Sequence, residues 1–172
     1  DLGDFKNLEE LQSEVRKAIG REREYAAQQE AKSKLVEKLV DMHDFPVPEA
    51  FLVRQIEIQV EQYLRSAAAR GIDPKSVRID WEKLKESQRE KATRDVKASL
   101  LIDRVAERES IEVTTDEVDR EVQRIARQER EPAAAVRSRL EKDGVLRRIA
   151  SHIRTEKTLA FLFERARKIA DD

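Results

Sequence analysis

The sequence predicts an all-α protein, with an elongated multi-helix body from which two helical arms project. Only 4 Gly and 4 Pro interrupt its 172 residues. Apolar residues recur at spacings of three and four along most of the chain, as they do on one face of a helix. Charged residues make up 41% of the chain and aromatic residues 5%. This composition implies a thin core and a large wetted surface, which suits an extended helical body better than a compact globule.

The first predicted helix runs from Asn7 to about His43 and forms part of the body. Asn7 is a candidate N-cap, because Glu10 follows three residues later as in a capping box. At 1.5 Å per residue this helix would be roughly 50 Å long, too long for a compact domain of this size. Pro46 and Pro48 end it, because the residue before a proline is pushed to extended geometry.

Arm 1 is predicted over residues 48–110 as an antiparallel hairpin of two helices. The first of them begins at Pro48 and ends before Gly71, which suits the left-handed position after a helix. A loop that contains Ile72-Asp73-Pro74 then leads to Asp80, the predicted N-cap of the second helix. The apolar stripes of the two helices would meet along the hairpin.

Arm 2 is predicted over residues 114–144. Thr114 and Glu117 have the spacing of a capping box, and Pro132 divides the arm into two shorter helices. The last helix, over residues 145–170, is the most apolar stretch of the chain. It is expected to complete the body together with the first helix.

Several function classes are disfavoured by the composition. A net charge of -1 leaves no basic surplus to hold a phosphate backbone, so no nucleic-acid partner is expected. No apolar run approaches the 18 residues of a membrane span, so no membrane partner is expected either. The chain has no Cys, and its two histidines, His43 and His152, lack partners at metal-ligand spacing. We therefore expect no enzyme, metal or cofactor from this chain alone.

Sequence stretches spread over nearly the whole chain resemble those of one family. They include Leu8-Glu9-Glu10-Leu11, the turn Val47-Pro48 followed by Leu52-Val53, the run Ala106–Val113, and Glu156-Lys157 in the closing helix. Their order and spacing are similar to those of the C-terminal domain of trigger factor, a bacterial ribosome-associated chaperone. A second fold relative with this architecture is the helical chaperone portion of SurA-like periplasmic isomerases.

The trigger factor resemblance implies a cradle that shields apolar segments of nascent or unfolded polypeptides without ATP. It implies a cytoplasmic protein whose ribosome docking and FKBP-type prolyl isomerase activity lie in other domains. This chain lacks the Gly-Phe-Arg of the docking loop and the aromatic content of the isomerase pocket. A weak homodimer remains open, as do the SurA-like interpretation and a helical scaffold or oligomerisation module without chaperone activity.

Client contact is expected at apolar residues of the two arms. The family often presents apolar or aromatic residues at the tip of arm 2, whereas this chain has Glu129 and Ser138 there, which shifts the expected contact elsewhere. The predicted client-binding residues are Ile58, Tyr63, Trp81, Leu84, Ile125 and Val136. The same positions also fit seams between helices, and periodicity alone does not separate the two interpretations.

Overall fold

The computed structural model describes residues 7–71 and 79–167, and every regular element within them is an α-helix. The all-α prediction is confirmed. The predicted loop Ile72-Asp73-Pro74 and residues 168–170 lie outside the described residues. The helices are α1 (Leu8–Asp41), α2 (Glu49–Ala69), α3 (Trp81–Arg108), α4 (Thr115–Glu129), α5 (Ala133–Lys142) and α6 (Val145–Arg165).

The helix starts follow the capping residues of the sequence. The Asn7 side chain accepts a hydrogen bond from the backbone N–H three residues later at 2.8 Å, and Asp80 does the same at 3.2 Å. Thr114 and Glu117 form the predicted capping box: the Glu117 N–H donates to Thr114 Oγ1 and the Thr114 N–H donates to Glu117 Oε2. Each cap satisfies a backbone donor that the first helical turn leaves open.

The end of α6 differs from its prediction. The helix stops at Arg165, and Ala166 is extended with ψ 133°, so the predicted continuation through Ala166 and Arg167 is wrong. No glycine or proline marks this end, which is why periodicity carried the helix too far. The Arg165 guanidinium lies 3.7 Å from the centre of the Phe161 ring and covers the last turn.

The helices α2 and α3 run in the same general direction, so the predicted antiparallel hairpin is wrong. Glu49 pairs with Arg89 at 3.4 Å, and Gln55 donates to Asp95 at 3.3 Å, so contacting residue numbers rise together in both helices. An apolar stripe specifies which face of a helix is buried but not the direction of its partner.

The helix α3 lies at the centre of the molecule. It contacts α1, α2 and α6, and α6 in turn contacts α4 and α5. Ion pairs fix the end of α1 and the segment after it to α3, with Asp41 2.8 Å from Arg94 and Asp44 3.0 Å from Lys97. The helix predicted as half of arm 1 is therefore also part of the body.

The molecule exposes far more surface than a compact chain of its size. Its accessible surface is 13871 Å², whereas a compact monomer of 20.0 kDa exposes about 8,700 Å². Within the described residues, six of the ten buried apolar residues fall into two separate clusters, one between α2 and α3 and the other within α4, α5 and α6. The other four, Val40, Val96, Ile102 and Ala106, are buried outside these clusters. This openness leaves apolar side chains without cover outside the two clusters.

Candidate functional site

The helix α2 has little cover, because within the described residues it packs only against α3. Leu52 and Ile56 are buried against Ala92, with Val47 and Val60 packed at the sides. The side chain of Ala92 is small, which lets the two helices approach closely at this point. A single covered stripe leaves the other sides of α2 facing solvent.

The contact between α2 and α3 also contains polar groups. Gln59 is buried, and its Nε2 donates to Asp95 Oδ2 at 2.8 Å, while Gln55 reaches the same oxygen at 3.3 Å. The side-chain carbonyl of Gln59 has no partner within the part of the chain that the structure describes. Because a buried polar atom without a partner costs free energy, this seam is held less firmly than an apolar one of equal size.

Four large apolar side chains of α2 remain exposed: Phe51 (54%), Val53 (46%), Ile58 (39%) and Tyr63 (51%). The first three lie beside this seam, whereas Tyr63 is in line with it, one turn beyond Gln59. Phe51 and Ile58 are seven residues apart and lie on one side of the buried stripe. Val53 lies on the other side, in line with half-buried Val60. We call Phe51, Val53, Ile58 and Tyr63 the α2 surface. Exposed apolar groups gathered on one helix are typical of an interaction surface.

The arm 1 residues predicted to contact clients fall into two places. Ile58, Tyr63 and Trp81 have exposed side chains, and Leu84 is half-buried. The helices α2 and α3 run in the same direction, and Arg89 of α3 lies beside the first residue of α2. Trp81 and Leu84 precede Arg89, so they extend past the N-terminal end of α2. Tyr63 lies toward the C-terminal end of α2. At 1.5 Å per residue, Trp81 and Tyr63 are separated by at least roughly 20 Å. The structure does not bring them together into one contact patch.

The two residues predicted in arm 2 belong to a core. Val136 is 0% exposed and packs with Val122 and Ala126. Ile125 is half-buried against the same cluster. The expectation that Val136 meets a client is therefore corrected: α4 and α6 cover the face of α5 that carries it, so its side chain cannot reach a partner in this fold.

An ion pair joins α4 to α6. Lys157 Nζ lies 2.8 Å from Glu117 Oε1, and the carboxylate also accepts the Thr114 N–H at 2.8 Å. The hydrogen bond from Lys157 and then the one from the Thr114 backbone lower the pKa of Glu117 to about 2. A carboxylate held in this way is not suited to general acid catalysis near neutral pH, so its role is structural.

The two histidines lie far apart in the chain and serve no common site. His43 Nδ1 lies 2.7 Å from the carbonyl oxygen of Leu39, one turn earlier, whereas His152 lies on α6. In residues 7–71 and 79–167, no three His, Asp or Glu side chains are placed to hold a metal ion. None of the helices in these two ranges combines the length and apolar character needed to cross a membrane.

Sequence reasoning missed part of the exposed apolar surface. The predicted client-binding residues do not include Phe51, although Phe51 is adjacent to buried Leu52 and so lies about 100° from it around the helix. That angular offset was the available signal. The first half of α1 is likewise bare, because Leu8, Val15 and Ile19 are exposed there. Nothing in their spacing indicates that the stripe lacks a partner.

Comparison with known proteins gives the chain a family. Residues 7–164 match the family described as bacterial trigger factor protein (TF) C-terminus. The chain is 61% identical to a trigger factor of Solibacter usitatus over 171 residues, covering 99% of this chain and 40% of that relative. It is 45% identical to a trigger factor of Koribacter versatilis over 168 residues, covering 96% of this chain and 38% of that relative.

A solved structure of trigger factor domains from Thermotoga maritima has the same fold. The TM-score is 0.58 at 20% identity, and the match covers 80% of this chain and 82% of that one. This chain spans about 40% of the length of the curated relatives that it matches. The family match, the two relatives and the shared fold agree with the resemblance seen in the sequence, and the chain belongs to the family of bacterial trigger factor C-terminal domains.

Proposed function

We propose that this domain is an ATP-independent chaperone module, which holds apolar segments of unfolded or nascent polypeptides against the α2 surface. The observation that carries the proposal is the exposure of Phe51, Val53, Ile58 and Tyr63 on a helix that α3 covers along one stripe. Family membership supports the same function. A client that covers these side chains would remove their apolar surface from water, and this burial would stabilise the complex.

The expected affinity is modest. At about 25 cal/mol per Å², a contact of a few hundred Å² yields several kcal/mol before the entropy of association is subtracted. Micromolar, fast-exchanging binding follows, which suits a chaperone because the client must be released to fold. Trp81 and half-buried Leu84 form a second, smaller contact beyond the start of α2, and the two contacts together would engage a longer client segment.

We further propose that the longer protein containing this domain is a cytoplasmic trigger factor. In that protein, ribosome contact and prolyl isomerase activity would reside in parts other than this chain. The similarity to trigger factors of Solibacter and Koribacter over nearly the whole of this chain supports this placement. A weak homodimer is part of the proposal, and sedimentation of the domain across a concentration series would detect it.

The proposed function is tested by suppression of client aggregation. A chemically unfolded client is diluted into solutions of the domain, and light scattering is followed for the wild type and for the double variant Phe51→Ser, Ile58→Ser. We expect the wild type to reduce scattering and the variant to lose most of that effect. The matched control is Leu8→Ser, Val15→Ser, which removes two exposed apolar side chains from α1. Equal protection by all three proteins would contradict the assignment to the α2 surface, and no protection by any of them would contradict the chaperone proposal itself.

A further inference from the structure

The helices α2 and α3 depend on each other unequally. Within the described residues α2 packs against α3 alone, whereas α3 also packs against α1 and α6. Val96, Ile102 and Ala106 of α3 are buried and lie outside the cluster that α2 shares with α3. If α2 moved away, α3 would therefore keep its contacts with α1 and α6.

The buried side of α2 changes from apolar to polar along the helix. Leu52 and Ile56 pack against Ala92 near the start of α2. The next buried residue is Gln59, and it is the last one of this helix. The side chains of residues 61–69 are exposed or half-buried. Beyond Ile56, the one buried residue of α2 is therefore a polar one.

Gln59 is only partly satisfied by its neighbours. Its Nε2 donates to Asp95 Oδ2 at 2.8 Å, whereas its Oε1 is buried and has no partner within the described residues. A carbonyl in this state gains hydrogen bonds to water when the seam opens, so opening costs less than it would with an apolar side chain. The side chain of Asp95 is exposed and stays hydrated whether the seam is closed or open.

Ion pairs and an aromatic contact tether the N-terminal end of α2. Glu49 lies 3.4 Å from Arg89, and Asp44, in the segment before α2, lies 3.0 Å from Lys97. The Lys97 ammonium also lies 5.4 Å from the centre of the Phe45 ring. The start of α2 is therefore attached at several points that do not involve Gln59.

We propose that α2 opens away from α3 as a separate unit while the rest of the domain stays folded. The latch that sets how often it opens is the contact of Gln59 with Asp95. The helix swings about its tethered N-terminal end, and opening uncovers Leu52, Ile56 and Ala92. The latch therefore controls how much apolar surface the domain presents to solvent. This inference goes beyond the proposed function, because it involves no client.

The test is amide hydrogen exchange of the whole chain under native conditions, compared between residues 52–69 of α2 and residues 96–106 of α3. A detached helix of 21 residues is only marginally stable in water, so its amides exchange while α2 is open. We expect protection factors in α2 at least about tenfold lower than in α3. Gln59→Met keeps the side chain unbranched and removes the unpaired carbonyl, so it should slow exchange in α2 by roughly threefold to tenfold and leave α3 unchanged.

Further variants separate the latch from a general change in the helix. Gln62→Met makes the same substitution at an exposed position of α2 and should alter exchange by less than about twofold. Asp95→Ala removes the acceptor for Gln59 and should speed exchange in α2 by roughly threefold to tenfold. Asp95→Asn keeps an acceptor oxygen and should have a smaller effect than Asp95→Ala.

Two outcomes would overturn the inference. Equal protection of α2 and α3, with both regions responding together to Gln59→Met, would mean that the two helices open as one unit. Faster exchange of α2 that neither Gln59→Met nor Asp95→Ala changes would mean that this contact is not the latch. Client aggregation enters neither outcome, so a failure of the proposed function would leave the exchange result standing.

Discussion

Arm 1 and the unit formed by α4, α5 and α6 are both built from amphipathic helices, yet they differ in how far their apolar residues are buried. In the second unit, Val136 is fully buried because α4 and α6 close over α5. In arm 1, α3 is the one helix that packs against α2 among the residues that the structure describes, so Phe51 and Tyr63 remain half exposed. The number of neighbouring helices, rather than the apolar content of a helix, decides which apolar residues remain exposed.

The two regions also differ in what their contacts are made of. The core of α4, α5 and α6 is apolar at its centre, whereas the seam of arm 1 includes the buried Gln59 with Asp95. An apolar core is stabilised in proportion to the area it removes from water, and a seam with a buried amide gains less per unit area. We therefore expect the core of α4, α5 and α6 to contribute more to the stability of the domain, and arm 1 to contribute more to client binding.

The largest effect is expected from a charge in the core of arm 2. Val136→Asp places an unpaired carboxylate at a fully buried position, which should lower the free energy of unfolding by about 3–5 kcal/mol. Urea unfolding followed by circular dichroism measures the change. Ala134→Asp, which adds the same charge at an exposed position of α5, is the control and should cost less than about 1 kcal/mol. Similar costs for the two variants would mean that Val136 does not anchor this core.

A smaller, pH-dependent effect is expected at the contact between α4 and α6. The folded pKa of Glu117 is about 2, below its usual value of 4.5, so its contribution to stability is complete above pH 4.5. That contribution is lost as the pH falls from 4.5 through about 2. Glu117→Gln should therefore remove part of the acid destabilisation, as measured by unfolding midpoints between pH 6 and pH 2.

The control for this prediction is Asp116→Asn, which removes the neighbouring exposed carboxylate of α4. Its acid profile should follow that of the wild type more closely. A carbon-13 titration of the Glu117 carboxyl gives the pKa directly, and a midpoint near 4.5 would contradict the role of Lys157.

The sequence predicts the helices well because their signals are local. Asn7, Asp80 and Thr114 cap helices by bonding to backbone three residues away, and Gly71 takes a positive φ after α2, so short-range patterns suffice. The end of α6 lacks such a signal, and its prediction is wrong.

The direction of α3 and the state of Val136 depend on tertiary contacts. Periodicity shows that a face is apolar but not which helix covers it or in which direction that helix runs. For the candidate site, the sequence therefore predicts exposed Ile58, Tyr63 and Trp81, yet it misses Phe51 and includes the buried Val136. Local sequence patterns are enough to predict where the helices lie. The packed structure is needed to tell a buried contact between helices from an exposed apolar surface.

A pair of isoleucines, one in each region, compares the two regions directly. The variant with the smallest expected effect on stability is also the one expected to weaken client binding. Ile58 is exposed on α2, whereas Ile125 is half-buried against Val136. Ile58→Ser should change the free energy of unfolding by less than about 0.5 kcal/mol while weakening client protection. Ile125→Ser should cost about 1–3 kcal/mol and leave client protection unchanged at a temperature where the variant is folded. Urea unfolding and the light-scattering assay, run on both variants, separate the two roles. If Ile125→Ser weakened client protection as much as Ile58→Ser, arm 2 would share in binding, and cover by neighbouring helices would no longer explain where clients attach.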